Sequence, residues 1–306
     1  MTMSQRVVFF GNERLVSGLK HTDAPVLRGL IEHGYNVVAV VASHSDAQSR
    51  TARPLEVAEV AREHGIPVLL PAKPGDIEQE LRELHADFAV LAAYGRIIPQ
   101  RIIDVFSPIG IINIHPSLLP RHRGSTPIES TILHGDHEAG ISLMQLTAGM
   151  DEGPVYAQVS IPLSGSETKF ELYEHISRRS AELLFSSLPH ITSGELKPKQ
   201  QRTDGVSYTT SIHKRDGIID PSTDNALTIE RKVRAYLGFP KSRLAYRGVD
   251  VIVTSARAVD DPIDAELCIT CNENSTLLVE SLIAPNGKTM SGSAYLQGLV
   301  NKSDRQ

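Results

Sequence analysis

Five short apolar runs, separated by helix-length stretches, constrain the first 190 residues more than any other feature of this chain. They cover residues 7–10, 37–41, 67–70, 88–91 and 111–114. Continuous apolar runs of this size suit strands of a parallel sheet covered on both faces. The intervening stretches carry helix punctuation: Pro54 and Gly65 bracket residues 55–64, a start and a stop that a helix accepts. Thr168-Lys169-Phe170-Glu171 fits a capping box ahead of a helix carrying Leu172, Ile176, Leu183 and Leu184. Repeated strand–helix order predicts an α/β fold with an open, mostly parallel, Rossmann-like sheet over residues 1–189.

The texture then changes. Residues 190–206 are polar and turn-rich and read as a linker. Over 207–306, the stretch 225–237 is an amphipathic helix with Ala226, Ile229, Val233, Tyr236 and Leu237 on one face, ended by Gly238 and Pro240. Strand-like pieces follow at 244–246, 249–253, 267–269 and 277–279, with a turn at 285–288. A small OB-like β-barrel domain is expected there.

With 306 residues, two domains can each bury a core. No apolar run approaches the roughly 18 residues of a membrane span, and the start, Met1-Thr2-Met3-Ser4-Gln5-Arg6, lacks a signal-peptide layout. Two cysteines cannot form a disulfide framework, which suits a reducing compartment such as the cytoplasm. A monomer with no membrane partner is expected. Gly11-Asn12-Glu13-Arg14-Leu15 after the first run is no G-x-G-x-x-G, and there is no Walker A loop. Cys268 and Cys271 form a lone C-x-x-C with no second ligand pair nearby, and the twelve histidines are scattered. No metal is expected.

One segment carries chemistry. Asn113 and His115 end a buried strand, two residues apart and so on one face. In an open parallel sheet the carboxyl ends of the strands are where ligands bind. A stiff loop follows at once, Pro116-Ser117-Leu118-Leu119-Pro120-Arg121-His122-Arg123-Gly124, and Asp151 stands further on between turn glycines Gly149 and Gly153. Taken singly, these residues also fit a satisfied core histidine and a solvated turn aspartate.

Together, Asn113-x-His115-x-Ser117-Leu118-Leu119-Pro120-x-x-Arg123-Gly124, with Asp151 downstream, resemble the folate-dependent formyltransferases. The resemblance extends over nearly the whole chain, through Ala93-Tyr94-Gly95-x-Ile97-Ile98-Pro99 and the helix near 229–237, and the order of the second domain is similar to the family's methionyl-tRNA branch. It implies transfer of a formyl group from 10-formyltetrahydrofolate to an amine, with no metal. Asn113 would stabilise the oxyanion, His115 would move the amine proton and Asp151 would hold His115. Ser117, Leu118, Leu119 and Pro120, with Leu91, Tyr94, Gly95 and Ile97, would bind folate. Three places depart from the family pattern: the 11–15 turn in place of G-T-P-x-F, His122 in place of an aromatic, and Gly124-Ser125-Thr126-Pro127 in place of Gly-Ala-Ala-Pro.

The acceptor that the resemblance favours is methionyl initiator tRNA. The net charge of −5 argues against a nucleic-acid partner until it is divided by region. Residues 188–247 hold 11 Lys and Arg against six acids, +5, which leaves −10 for the rest. Arg50, Arg53, Arg121, Arg123, Lys214, Arg215, Arg234, Lys241 and Arg243 are the candidate tRNA contacts. A sugar-nucleotide N-formyltransferase, a 10-formyltetrahydrofolate hydrolase and a catalytically silent folate- or tRNA-binding module remain alternatives.

Overall fold

A computed structural model describes residues 4–43 and 55–303. Arg50 and Arg53 lie outside the described residues. Two compact units divide the chain, the first within Met1–Ile128, Glu138–Pro162 and Tyr173–Thr210, the second within Glu129–His137, Leu163–Leu172 and Ser211–Gln306. Residues 190–206, expected as a linker, therefore fall inside the first unit. The helix before them runs on to Thr192, and their backbone is hydrogen-bonded beyond it.

The first unit is built on a seven-stranded sheet. In chain order its strands are β1 Arg6–Gly11, β2 Asn36–Val41, β3 Val68–Leu69, β4 Phe88–Ala92, β5 Ile111–His115, β6 Glu138–Gln145 and β7 Val155–Pro162, and in space they run β3-β2-β1-β4-β5-β6-β7. The five runs expected as strands are β1 to β5, all parallel. β4 and β5 are buried throughout, as strands covered on both faces must be. The last two strands, β6 and β7, are antiparallel and were not foreseen. β7 alternates half-buried and exposed residues at the sheet edge, so its apolar signal is diluted.

Helices fall between these strands: α1 Pro25–Glu32, α2 Glu56–Glu63, α3 Glu78–Glu83, α4 Gln100–Ile103 and α5 Pro127–His134, with α6 Lys169–Thr192 after β7. The capping box foreseen at the start of α6 is present: Thr168 N donates to Glu171 Oε2 at 2.8 Å, and Glu171 N donates to Thr168 Oγ1 at 3.3 Å. From β1 the chain goes outward to β2 and β3, then returns to the other side of β1 as β4. That reversal opens a crevice at the carboxyl ends of β1 and β4. Gly11 is required there: its φ is +137°, and a Cβ would lie 1.9 Å from Ala92 O.

The variant turn after β1 has a structural task. Helix α1 starts after Ala24, which is left-handed and offers no side-chain cap. Its first amides are instead satisfied from a distance, Val26 N by Glu13 Oε2 and Leu27 N by Glu13 Oε1, both at 2.9 Å. Glu13 is fully buried, and that burial lifts its carboxyl from 4.5 to about 7 against the pull of those two amides. Between those values the folded chain keeps a proton that the unfolded chain has released. Stability is therefore expected to fall as pH rises from about 4.5 to 7, by an amount on the order of 3 kcal/mol at most. Urea unfolding at pH 5 and pH 8 should show a loss in the parent protein that Glu13→Gln lacks; equal losses would refute the assignment.

The second unit holds a six-stranded sheet of β8 Ile218–Ile219, β9 Ser242–Tyr246, β10 Val249–Val259, β11 Cys268–Thr270, β12 Thr276–Ile283 and β13 Thr289–Ser291. The pairing path is β11-β12-β10-β9-β8, with β13 branching from β12. The expected second sheet domain is present, but among the described residues this path is open, with no pairing that closes it into a barrel. β10 serves β9 with its first half and β12 with its second, and register shifts near Ser255 let it bend between them. Helix α7 Ala226–Ala235 lays Ala226, Ile229 and Val233 on the core with Leu244, Val251, Leu277 and Val279. Its start is capped by Asn225 Oδ1, which accepts from Thr228 N at 2.9 Å. A last helix, α8 Gly292–Ser303, was not foreseen.

Candidate active site

A cavity of about 440 Å³ opens in the first unit at the crevice between β1 and β4. Its wall is assembled from the segments that follow β1, β4 and β5, together with residues 146–151 after β6. Apolar side chains dominate, among them Leu15, Leu91, Ile98, Leu146 and Met150. Asn113, His115 and Asp151 all line it.

His115 is buried at the end of β5. Its Nε2 lies 2.9 Å from the His122 carbonyl oxygen. A carbonyl can only accept, so Nε2 carries the hydrogen and Nδ1 of the neutral ring carries the lone pair. Nδ1 stands 3.6 Å from Asp151 Oδ2. Asp151 adopts φ +49°, and its Oδ2 accepts from Gly124 N at 2.8 Å. Asn113 Nδ2 approaches Asp151 Oδ1 at 3.4 Å. Three side chains separated by up to 38 residues thus meet on one wall.

Of the eight residues expected to bind folate, Leu91, Tyr94, Gly95 and Ile97 line the cavity. Ser117, Leu118, Leu119 and Pro120 do not; they support it from behind. Ser117 Oγ donates to Arg121 O at 2.6 Å, closing the loop on itself. Ser142 Oγ on β6 donates to Ser117 O at 2.6 Å and accepts from Leu119 N at 3.1 Å. Leu118 packs on Gly140, where a Cβ would lie 2.4 Å from its Cγ. Their regular, stiff sequence thus serves to carry His122 O back to His115.

Tyr94 Oη and Thr147 Oγ1 are buried without a partner among the described residues, and the Tyr94 ring packs edge-on against Phe10 in the core beneath the wall. Burial also pushes the Tyr94 phenol up, so this group stays a neutral donor. Among the described residues no cluster of three His, Cys, Asp or Glu side chains could hold a metal ion.

The expected tRNA contacts separate into two sets. Arg123 and Arg234 are occupied. Arg123 is buried, with Nη2 and Nε on Gln201 Oε1 at 2.7 and 3.1 Å and Nη1 on Tyr208 Oη at 3.2 Å. Arg234 pairs with Glu230 at 2.5 Å and donates to Glu167 O at 2.8 Å. Arg121, Lys214, Arg215, Lys241 and Arg243 are exposed. In the second unit four of these gather at one sheet edge: Lys214 and Arg215 form the turn into β8, Ile218 of β8 is in register with Arg243, and Gly217 approaches Lys241 O so closely that a Cβ would lie 2.2 Å away.

No sequence signal marked Gln201 as part of the site.

Residues 6–188 match the formyl transferase family and residues 211–300 match the formyl transferase C-terminal domain. The chain belongs to the formyl transferase family. It is similar to the methionyl-tRNA formyltransferase of Halorhodospira halophila, 37% identical over 259 residues that cover 84% of this chain and 81% of that protein. It is likewise similar to the methionyl-tRNA formyltransferase of Chloroflexus aggregans, 33% identical with 96% and 97% covered. Among solved structures, the N-formyltransferase of Helicobacter canadensis in complex with folinic acid and dTDP-3-aminofucose shares the fold, with TM-score 0.67, 16% identity, and 90% of this chain and 99% of that one covered. Among the described residues no helix is long and apolar enough to cross a membrane.

Proposed function

We propose that this enzyme transfers the formyl group of 10-formyltetrahydrofolate to the amino group of methionyl initiator tRNA. The observation that carries the chemistry is the convergence of Asn113, His115 and Asp151 on one cavity wall. The methionyl-tRNA formyltransferases among its relatives support the acceptor. The largely apolar lining of the cavity supports a folate co-substrate.

Each residue has a role that its geometry permits. Formyl transfer requires the amine nitrogen to bond to the formyl carbon while the folate nitrogen leaves, through a tetrahedral oxyanion. Asn113 has two amide hydrogens, one directed at Asp151, and donates to the oxyanion as it forms. Nδ1 of His115, left with its lone pair by the Nε2 contact to His122 O, accepts the amine proton and returns it to the departing folate nitrogen as the adduct collapses. Asp151, 3.6 Å from that nitrogen, stabilises the imidazolium so produced and is itself held by the Gly124 amide. The exposed cations Lys214, Arg215, Lys241 and Arg243 offer phosphates a basic edge.

The test supplies 10-formyltetrahydrofolate with methionyl initiator tRNA, methionyl elongator tRNA or an amino-sugar nucleotide and follows folate release. Release should depend on the initiator and fall steeply with added salt, as phosphate contacts require. Release supported by the amino sugar and not by methionyl-tRNA overturns the acceptor while preserving the chemistry.

A further inference from the structure

We infer that Gln201, in the segment between the two family matches, is a positioning residue for formyl transfer that fixes Asp151 through its backbone. The inference rests on the role of Asp151 proposed above. Gln201 Nε2 donates to Asp151 O at 2.7 Å and to Gly153 O at 2.8 Å, while its Oε1 accepts from Arg123 Nη2 and Nε. An amide offers two hydrogens and two lone pairs, and here all four are engaged.

These contacts close a ring around the catalytic carboxylate. Arg123 adjoins Gly124, whose amide holds Asp151 Oδ2 from the front. Gln201 holds the Asp151 carbonyl from behind and the Arg123 side chain at once. Main-chain bonds seat the segment that carries Gln201: Lys199 and Val155 exchange two hydrogen bonds at 2.8 Å, Arg123 N donates to Ser207 O at 2.9 Å, and Thr209 N donates to Arg123 O at 2.7 Å. Asp151 itself sits at φ +49°, a left-handed turn conformation that aspartate tolerates better than most residues, so the direction of its carboxylate depends on what anchors the turn. Residues 149–153 contain two glycines and form neither helix nor strand, so Asp151 is held by its contacts to Asn113, His115, Gly124 and Gln201.

The chemistry supplies a discriminating substitution. Gln201→Glu keeps an acceptor for Arg123, and strengthens it, but cannot donate to the two carbonyls and sets a carboxylate against them. Bracing of Arg123 alone would leave this variant near normal. If Gln201 positions Asp151, turnover falls at least tenfold with the folate KM within about threefold, and Gln201→Met behaves alike. In an Asp151→Asn background the same Gln201→Glu change should then cost less than threefold, because its target is already disabled. A loss below tenfold in the parent, or a cost of threefold or more in the Asp151→Asn background, overturns the inference.

A readout independent of activity completes the test. Amide exchange of Gly124, whose hydrogen rests on Asp151 Oδ2, should accelerate at least tenfold in Gln201→Glu, and an unchanged rate overturns the positioning role. If wild-type protein fails to formylate methionyl-tRNA, the proposed acceptor falls, and Gln201 is still judged on formyl release to water and on this exchange.

Discussion

Replacing Asn113 by alanine should lower kcat about 10²–10³-fold, the usual cost of removing one preorganised oxyanion donor. Folding and folate binding should persist, since Asn113 makes only a 3.4 Å contact to Asp151 and its neighbours Ile112 and Ile114 hold the strand. Asn113→Asp, nearly isosteric, should be no better. It exchanges the donor for an acceptor and places a second carboxylate beside Asp151, where like charges disfavour each other. Steady-state kinetics with both variants decides the matter: an aspartate that restores activity would mean that Asn113 contributes shape rather than a hydrogen. His115→Asn, which retains a polar side chain without a titrating nitrogen, should also lose orders of magnitude in turnover.

Gly124→Ala should cost both activity and stability. The residue has φ +113°, and a Cβ would lie 2.6 Å from Thr209 Oγ1 and 2.9 Å from Thr209 O. The Thr209 side chain is itself committed, since its Oγ1 accepts from Thr126 N at 3.1 Å. The backbone contribution alone is about 2 kcal/mol, or roughly 4–8 °C in the unfolding midpoint. Because the Gly124 amide holds Asp151, kcat should fall with it. Gly205→Ala is the matched comparison: φ is again positive, +75°, but nothing lies within 4 Å of the added carbon. Thermal melts and turnover of the pair separate strain from collision. Equal effects would assign everything to the dihedral angle and nothing to Thr209.

Much of this arrangement was legible in the residues. The apolar runs that became β1 to β5 are continuous because both faces of those strands are covered, and continuity survives in sequence. Asn113 and His115 were marked by polarity at the end of such a run. The sequence pattern failed where a residue acts through its main chain or its place. Ser117, Leu118, Leu119 and Pro120 were expected as folate contacts from the family resemblance of their loop, but they lie off the cavity lining, with Ser117 and Leu119 bonded to Arg121 and Ser142. Arg123 reads as a free cation, yet it is buried against Gln201 and Tyr208. Glu13 looked like an irregular turn residue, because a side chain that caps a helix 13 positions away leaves no local signature. The polar composition of residues 190–206 suggested a linker, although the segment lies inside the first unit and Gln201 within it is bonded to Asp151 and Gly153.

The contact between His115 Nε2 and residue 122 is made to a peptide oxygen. That oxygen belongs to the main chain, so the ring's hydrogen stays in place for any side chain that tolerates the buried, positive-φ position of residue 122. The side chain of His122 is thus not what sets the proton inventory of the reaction. Sequence drift at that site is therefore free to tune other properties, while the loop's path, rather than its spelling, is what inheritance must preserve.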